Sequence, residues 1–267
     1  MKLTIIGGGN MAKAIIKALL ESQAISAEEI TVSDVNPENL KMLQNSLSVN
    51  TVSSNRAAIC SADIVILAIK PQNLDELSKD LSRRFKPGQL IISILAGTPL
   101  ARLITKLQHN EIIRAMPNTP AQIGMGMTIW TASEQVSAKQ QRDAQTILSS
   151  MGSALCVSDE GYIDKATAIS GSGPAYFFLF MEYMVDSAIK LGFDIETARK
   201  LVLQTAKGSI TYAVSSSQNL SELRRQVTSP GGTTAEAIAY FESNDIKQII
   251  NGAIMAAYRK ATEMGRH

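Results

Sequence analysis

Leu3–Ile6 is a short apolar run that ends on three glycines, and Asn10, Met11 and Ala12 follow at once. Nothing else in the 267 residues restricts the fold as tightly. Three glycines in a row extend neither a strand nor a helix cheaply, because glycine loses more backbone freedom on ordering than any other residue. They reverse the chain instead, and G-x-G-x-x-A between a strand and a helix is a turn that lets backbone approach a pyrophosphate. Gly7 permits the tight turn, Gly9 leaves room for the phosphates, and Ala12 is small enough for the helix to pack on the sheet. The helix start then offers free N–H groups and the positive end of its dipole to the anion. Gly7, Gly8, Gly9, Asn10 and Met11 are therefore expected to hold the phosphates of a nicotinamide dinucleotide.

The chain beyond repeats the same alternation. "LTII", "ITVS", "IVILAI" and "LIISIL" are each followed by a helical pattern, over residues 10–22, 37–46, 72–84 and from Pro99 onward. Continuous β-branched runs between helices predict a mostly parallel sheet covered on both faces. "EIIRA" and "MTIWTA" come next, the second placed near a sheet edge. Past Asp159 the remaining segments read as helices, with Asp194 and Asn244 or Asp245 as helix-start residues. The expected fold is α/β: a Rossmann-type, doubly wound domain over residues 1–160 and an all-helical domain over 161–267. In the second domain "AYFFLFMEYMV" is apolar on more than one face, which suits either a central core helix or one that also packs on another subunit.

The ends of the later strands should meet the cofactor. Asp34, closing the second strand, is placed to hydrogen-bond a ribose 2′-hydroxyl and to repel a 2′-phosphate, and Val35 supplies no guanidinium for such a phosphate. Ser33 and Asn36 can bond either sugar, so the cofactor is NADH or NADPH, with NADH slightly favoured. Asn55 is assigned to the same set, with Ala68, Lys70 and Pro71 from "LAIKPQ" and Ala96 and Gly97 from "SILAG". The 26 basic and 24 acidic residues leave a net charge of +2 with no basic cluster, which argues against nucleic acid. Arg224-Arg225 is read as a solvated or interface pair. Cys60 and Cys156 lie in apolar stretches without metal-ligand spacing, so both are expected in the core and no metal is expected. Sparse cysteine, an opening that leads straight into a strand rather than a signal peptide, and the absence of a membrane-length apolar run suggest a cytoplasmic protein.

Two further glycine loops, "SGSGPAYFF" (170–178) and "TSPGGTTAEAI" (228–238), each precede a helix. Together with "GGGNMAKAI", "LAIKPQ" and "RAMPNTPA" they make the chain resemble the Δ1-pyrroline-5-carboxylate reductases over essentially its whole length. The resemblance implies reduction of the cyclic imine 1-pyrroline-5-carboxylate to L-proline, the last step of proline biosynthesis. It also implies a helical domain that forms a homodimer by interlocking helices, or a higher oligomer of such dimers. It further implies that "SPGGTT" completes the partner subunit's active site. On that footing Ser229, Gly231, Gly232 and Thr233 would hold the substrate carboxylate through backbone N–H groups. Thr234 would be the catalytic contact to the ring nitrogen, and Glu160 occupies a family position near the substrate. His109, read as part of a surface turn, and His267 are assigned no role. The rival reading, a β-hydroxyacid-type dehydrogenase, needs a lysine at the inter-domain helix. Lys165 is the nearest candidate but lacks that family's asparagine–lysine spacing. The loop 114–122 is left without a role beyond the rigidity of its two prolines.

Overall fold

A computed structural model describes residues 1–265, and His267 lies outside the described residues. The chain divides into two compact units, Met1–Ser172 together with the stretch from Ala257 onward, and Gly173–Ala256. The contact division therefore falls after Ser172 rather than at the sequence-based boundary of 160, and it returns the end of the last helix to the first unit.

The first unit alternates strand and helix: β1 (Leu3–Ile6), α1 (Asn10–Glu21), β2 (Ile30–Ser33), α2 (Pro37–Leu47), β3 (Asn50–Val52), α3 (Asn55–Ile59), β4 (Ile64–Leu67), α4 (Leu74–Leu81), β5 (Leu90–Ser93), α5 (Leu100–Leu107), β6 (Ile112–Met116), β7 (Gly126–Ala132), α6 (Ala138–Ser149), β8 (Gly152–Cys156) and α7 (Gly161–Ala166). The sheet order is β3-β2-β1-β4-β5-β6-β7-β8. Every neighbouring pair is parallel except β6 with β7. The strand order reverses beside β1, where Ile5 stands between Val32 and Ile66. Open α/β sheets bind ligands at such a reversal, outside the carboxyl ends of the strands.

Both faces of the sheet are covered. Ile5, Val32, Ile66 and Ile92 pack with Ile15, Ile16 and Leu19 of α1. Ile6, Val65, Leu67 and Ile91 pack with Leu74, Leu77 and Leu81 of α4 and with Leu103 and Leu107 of α5. Local chemistry fixes the helix starts. Asn36 caps α2 by accepting from Glu38 N–H at 2.9 Å, with Pro37 in the first turn, a position that needs no donor. Ser137 and Gln140 form a reciprocal capping box on α6.

Two expectations change, while "MTIWTA" does lie near a sheet edge, as β7 with only β8 outside it. Cys156 is exposed because β8 is that edge, and Cys60 is exposed where α3 ends, its thiol donating to Arg56 O at 3.1 Å. His109 is buried, not a surface-turn residue. Its Nε2 lies 2.6 Å from the Gln89 carbonyl and its ring packs beside Phe85.

The second unit is helical: α8 (Gly173–Lys190), α9 (Ile195–Ser215), α10 (Leu220–Gln226), α11 (Thr233–Ser243) and the first part of α12 (Ile246–Met264). Asp194 caps α9 as expected, accepting from Thr197 N–H at 2.9 Å. Of the pair Asn244 or Asp245, Asn244 ends α11 as its C-cap, while Asp245 directly precedes α12 and its carbonyl accepts Gln248 N–H at 2.8 Å and Ile249 N–H at 3.1 Å. Arg224 and Arg225 are exposed and reach Glu242 and Glu222 at 3.6 and 3.9 Å. Among the described residues no helix is long and apolar enough to cross a membrane.

Candidate active site

The carboxyl ends of β1, β2 and β4 open onto a cleft of about 710 Å³. Its lining includes Gly7, Gly9, Asp34, Asn55, Ala68 and Lys70 from the expected cofactor set. Gly7 has φ +100°, and a Cβ there would stand 2.5 Å from the Ala68 carbonyl oxygen, so only glycine makes this turn without strain. Gly9 differs. Its φ is ordinary and a Cβ would meet nothing within 4 Å. Gly9 is also the N-cap of α1, which has no side-chain cap and no acid in its first turn. The first N–H groups of α1 are thus left for an anion, and bare space lies before them. A dinucleotide pyrophosphate fits this cradle. Asn10 is exposed at the same helix start and Met11 is half-buried behind it.

Asp34 is bound into the turn itself. Its Oδ2 accepts the Gly8 N–H and, at 3.3 Å, the Asn39 side-chain amide, while Oδ1 accepts the Asn36 N–H at 2.6 Å. The carboxylate thus pins the glycine turn as well as facing the cleft. Ser33 borders the cleft yet is fully buried, and its hydroxyl donates to Asn55 Oδ1 at 2.7 Å. Any bond from this pair to a sugar would come through Asn55. Lys70 is exposed ahead of a 3₁₀ turn at Pro71–Asn73. Ala96 and Gly97 lie outside this cleft's lining. Gly97, at φ +61°, is covered by Met264, whose Cβ would be 2.5 Å from an added methyl.

In the second unit, Gly232 is the N-cap of α11, again without a side-chain cap. Gly231 has φ +69°, and Gly232 N–H donates to Ser229 O at 3.0 Å. Ser229, Gly231 and Thr233 are exposed and Thr234 is half-buried in the first turn of the helix. Since no side chain caps α11, the Thr234 hydroxyl is not its cap.

Residues 160–264 match the family profile described as pyrroline-5-carboxylate reductase dimerisation, and residues 2–97 match one described as NADP oxidoreductase, coenzyme F420-dependent. A pyrroline-5-carboxylate reductase of Pseudomonas aeruginosa is 43% identical, over 98% of this chain and 96% of its own length. The chain belongs to the pyrroline-5-carboxylate reductase family. The solved reductase of Coxiella burnetii is 36% identical with a TM-score of 0.88, and each chain covers 98% of the other. The reductase of Plasmodium falciparum, solved with NADP bound, is 31% identical with a TM-score of 0.87, over 99% of this chain and 98% of its own. The chain is accordingly an NAD(P)-dependent oxidoreductase. The hydroxyacid dehydrogenase reading gains nothing from these relatives, and Lys165 Nζ sits over the Tyr162 ring at 4.2 Å.

Glu160 is not a free turn acid. Its Oε1 accepts the Leu100 N–H at 2.8 Å and Arg114 Nη1–H at 2.8 Å, while Arg114 Nη2 donates to Asp164 Oδ1 at 2.6 Å. α5, which starts on Pro99 with no side-chain cap of its own, thereby takes a carboxylate from a distant loop. The 114–122 loop gains a structural role. Asn118 Nδ2 donates to Ser170 O at 3.0 Å in a π turn (Thr167–Gly171), and its Oδ1 accepts Met127 N–H at 2.8 Å. The sequence reading missed Asn73, Glu76 and Asp80, which line the cleft. Their spacing of three and four residues, one polar stripe at the start and on the face of α4, was the available signal.

Proposed function

We propose that this chain reduces 1-pyrroline-5-carboxylate to L-proline at the expense of NADH or NADPH. The observation that carries the reading is the full-length likeness to reductases of that substrate, 43% identical in the nearest example given above. The glycine cradle of the first unit and the "SPGGTT" loop of the second supply the chemistry such a reaction needs.

A reduced nicotinamide held at the cleft would supply the hydride that the imine carbon accepts. The C=N π pair moves to nitrogen, which holds one proton from solvent, and the product is a secondary amine. An iminium carbon is already electrophilic, so the protein's task is orientation and charge placement rather than strong acid catalysis. In this reading Gly7–Met11 receive the pyrophosphate, Asp34 and Asn55 border the adenosine ribose, and Ala68, Lys70, Pro71, Ala96 and Gly97 serve the nicotinamide half. Backbone N–H groups from Ser229 to Thr234 hold the substrate carboxylate, and the Thr234 hydroxyl meets the ring nitrogen. NADH is the preferred donor, in keeping with the Asp34 carboxylate and with Val35. The working form is a homodimer or an assembly of such dimers, a reading supported by the match to a dimerisation profile, and its proposed location is the cytoplasm.

Incubating the purified chain with the imine and either cofactor should yield proline and oxidised cofactor in equal amounts. No proline with either cofactor overturns the reading. Thr234→Ala removes one hydrogen bond to a charging group, typically ~1.5–3 kcal/mol, so kcat/KM should fall roughly 10- to 150-fold with cofactor affinity unchanged. A lower melting point with normal turnover would remove Thr234 from the site.

A further inference from the structure

Asp34, Glu76 and Asp80 put three carboxylates on the cleft lining, against the single cation Lys70 among the described lining residues. Asp34 is already committed to the glycine turn through Gly8, Asn36 and Asn39. Asp80 holds something else. Its Oδ1 is ion-paired with Arg56 Nε at 2.5 Å, and its Oδ2 lies 3.5 Å from Asn55 Nδ2. Asn55 in turn accepts the Ser33 hydroxyl at 2.7 Å. A continuous polar chain thus runs from the end of β2 through Asn55 to Asp80 on α4, and it ends on a half-exposed guanidinium one residue from Asn55.

We propose that Asp80 sets the cofactor preference by holding Arg56 as a latent 2′-phosphate clamp. The proposal rests on the reading of this cleft as the NAD(P)H site. A 2′-phosphate carries nearly two negative charges and three acceptor oxygens, and a guanidinium is its natural partner. To serve one, Arg56 must leave Asp80, and the abandoned carboxylate then faces the phosphate. A 2′-hydroxyl imposes no such competition. It can donate to a carboxylate on the lining while the Arg56–Asp80 pair stays closed. Asp80 acts alongside Asp34, and it is the cleaner place to test the preference, because replacing Asp34 also loosens the turn that both cofactors need. Asp80 lies outside the turn, so its charge can change without disturbing Gly7–Gly9.

Calorimetric titration of the full-length chain with AMP and with adenosine 2′,5′-bisphosphate tests this without any turnover. Asp80→Asn keeps the hydrogen-bonding shape and removes the charge. It should tighten the bisphosphate about tenfold, or ~1.4 kcal/mol, and leave AMP within about twofold. Adding Arg56→Ala to Asp80→Asn should erase that gain, and higher salt should shrink it. An unchanged bisphosphate-to-AMP ratio in Asp80→Asn, or a gain that survives the loss of Arg56, overturns the proposal while leaving the cofactor site intact. If wild type and variants bind neither nucleotide, nor NADH nor NADPH, the cleft is not the cofactor site and both readings fall.

Discussion

The two units close their cores in different ways. In the first, strand residues such as Ile5, Ile66 and Ile92 are at most 1% exposed, because helices cover both faces of the sheet. In the second, Phe177, Phe178 and Tyr183 of α8 are 62%, 61% and 59% exposed. Both units have ample apolar sequence, so composition does not separate them. The difference lies in arrangement. A doubly wound sheet supplies its own cover from the same chain, whereas α8 is apolar on more faces than its own neighbours occupy. Apolar surface left over on this scale marks an interface.

The most severe way to break that contrast is to make α8 polar. Phe177→Glu with Phe178→Glu should leave the first unit folded and able to bind NADH. In a homodimer the same change removes two side chains from each copy, each worth about 1.5–3 kcal/mol of burial, so dimer affinity should fall by at least about 10⁴-fold. Light scattering should then report a monomer, and proline formation should fall with the dimer. A variant that stays dimeric with normal turnover would mean that the exposed face of α8 is not the interface.

A second test separates folding from binding inside the first unit. Gly7 and Gly9 are two residues apart in one motif, yet they answer to different constraints. Gly7→Ala forces a methyl against the Ala68 carbonyl at positive φ, and strain of that kind costs about 1–3 kcal/mol, so the cofactor-free protein should melt earlier. Gly9→Ala meets no protein atom. Its free protein should melt with wild type, while the methyl occupies phosphate space and weakens NADH about 10- to 100-fold, a clash of ~1–3 kcal/mol. NADH affinity equal to wild type in Gly9→Ala would remove the assignment of Gly9 to the pyrophosphate.

Much of this was legible in the sequence, for reasons that also explain what was not. The β-branched runs of β1, β2, β4 and β5 state a parallel sheet by composition alone, and "GGGNMA" states its ligand edge. β8 escaped notice because Gly152–Cys156 has no β-branched residue, and its pairing is set by β7 rather than by its own propensity. The π turn at Thr167–Gly171 was absorbed into a helix, since a single turn of five residues is too short to show a changed apolar period. His109 and Arg114 are buried through partners far along the chain, Gln89 for one and Glu160 with Asp164 for the other. Sequence distance hides such pairs. The same limit applied to Asp34, whose place at the cleft was readable but whose hold on Gly8 was not.

Glu160 offers the mildest test, because two roles have been assigned to one carboxylate. Family position puts it near the substrate, whereas its bonds make it a strut between α5 and Arg114. Arg114 is 3% exposed and its Nε has no hydrogen-bond partner, so its charge depends on Glu160 and Asp164. Glu160→Gln keeps an oxygen for the Leu100 N–H and removes one of the two charges. Asp164 still balances the guanidinium, so the loss should be about 1–3 kcal/mol, below the cost of stripping a buried charge bare. The strut reading expects a lower melting point, with KM for the imine and kcat each within about twofold of wild type. A tenfold rise in KM at an unchanged melting point, about 1.4 kcal/mol of lost binding, would instead place the Glu160 carboxylate against the substrate. The strut then would be the secondary role, and Arg114 would be held in place chiefly by Asp164.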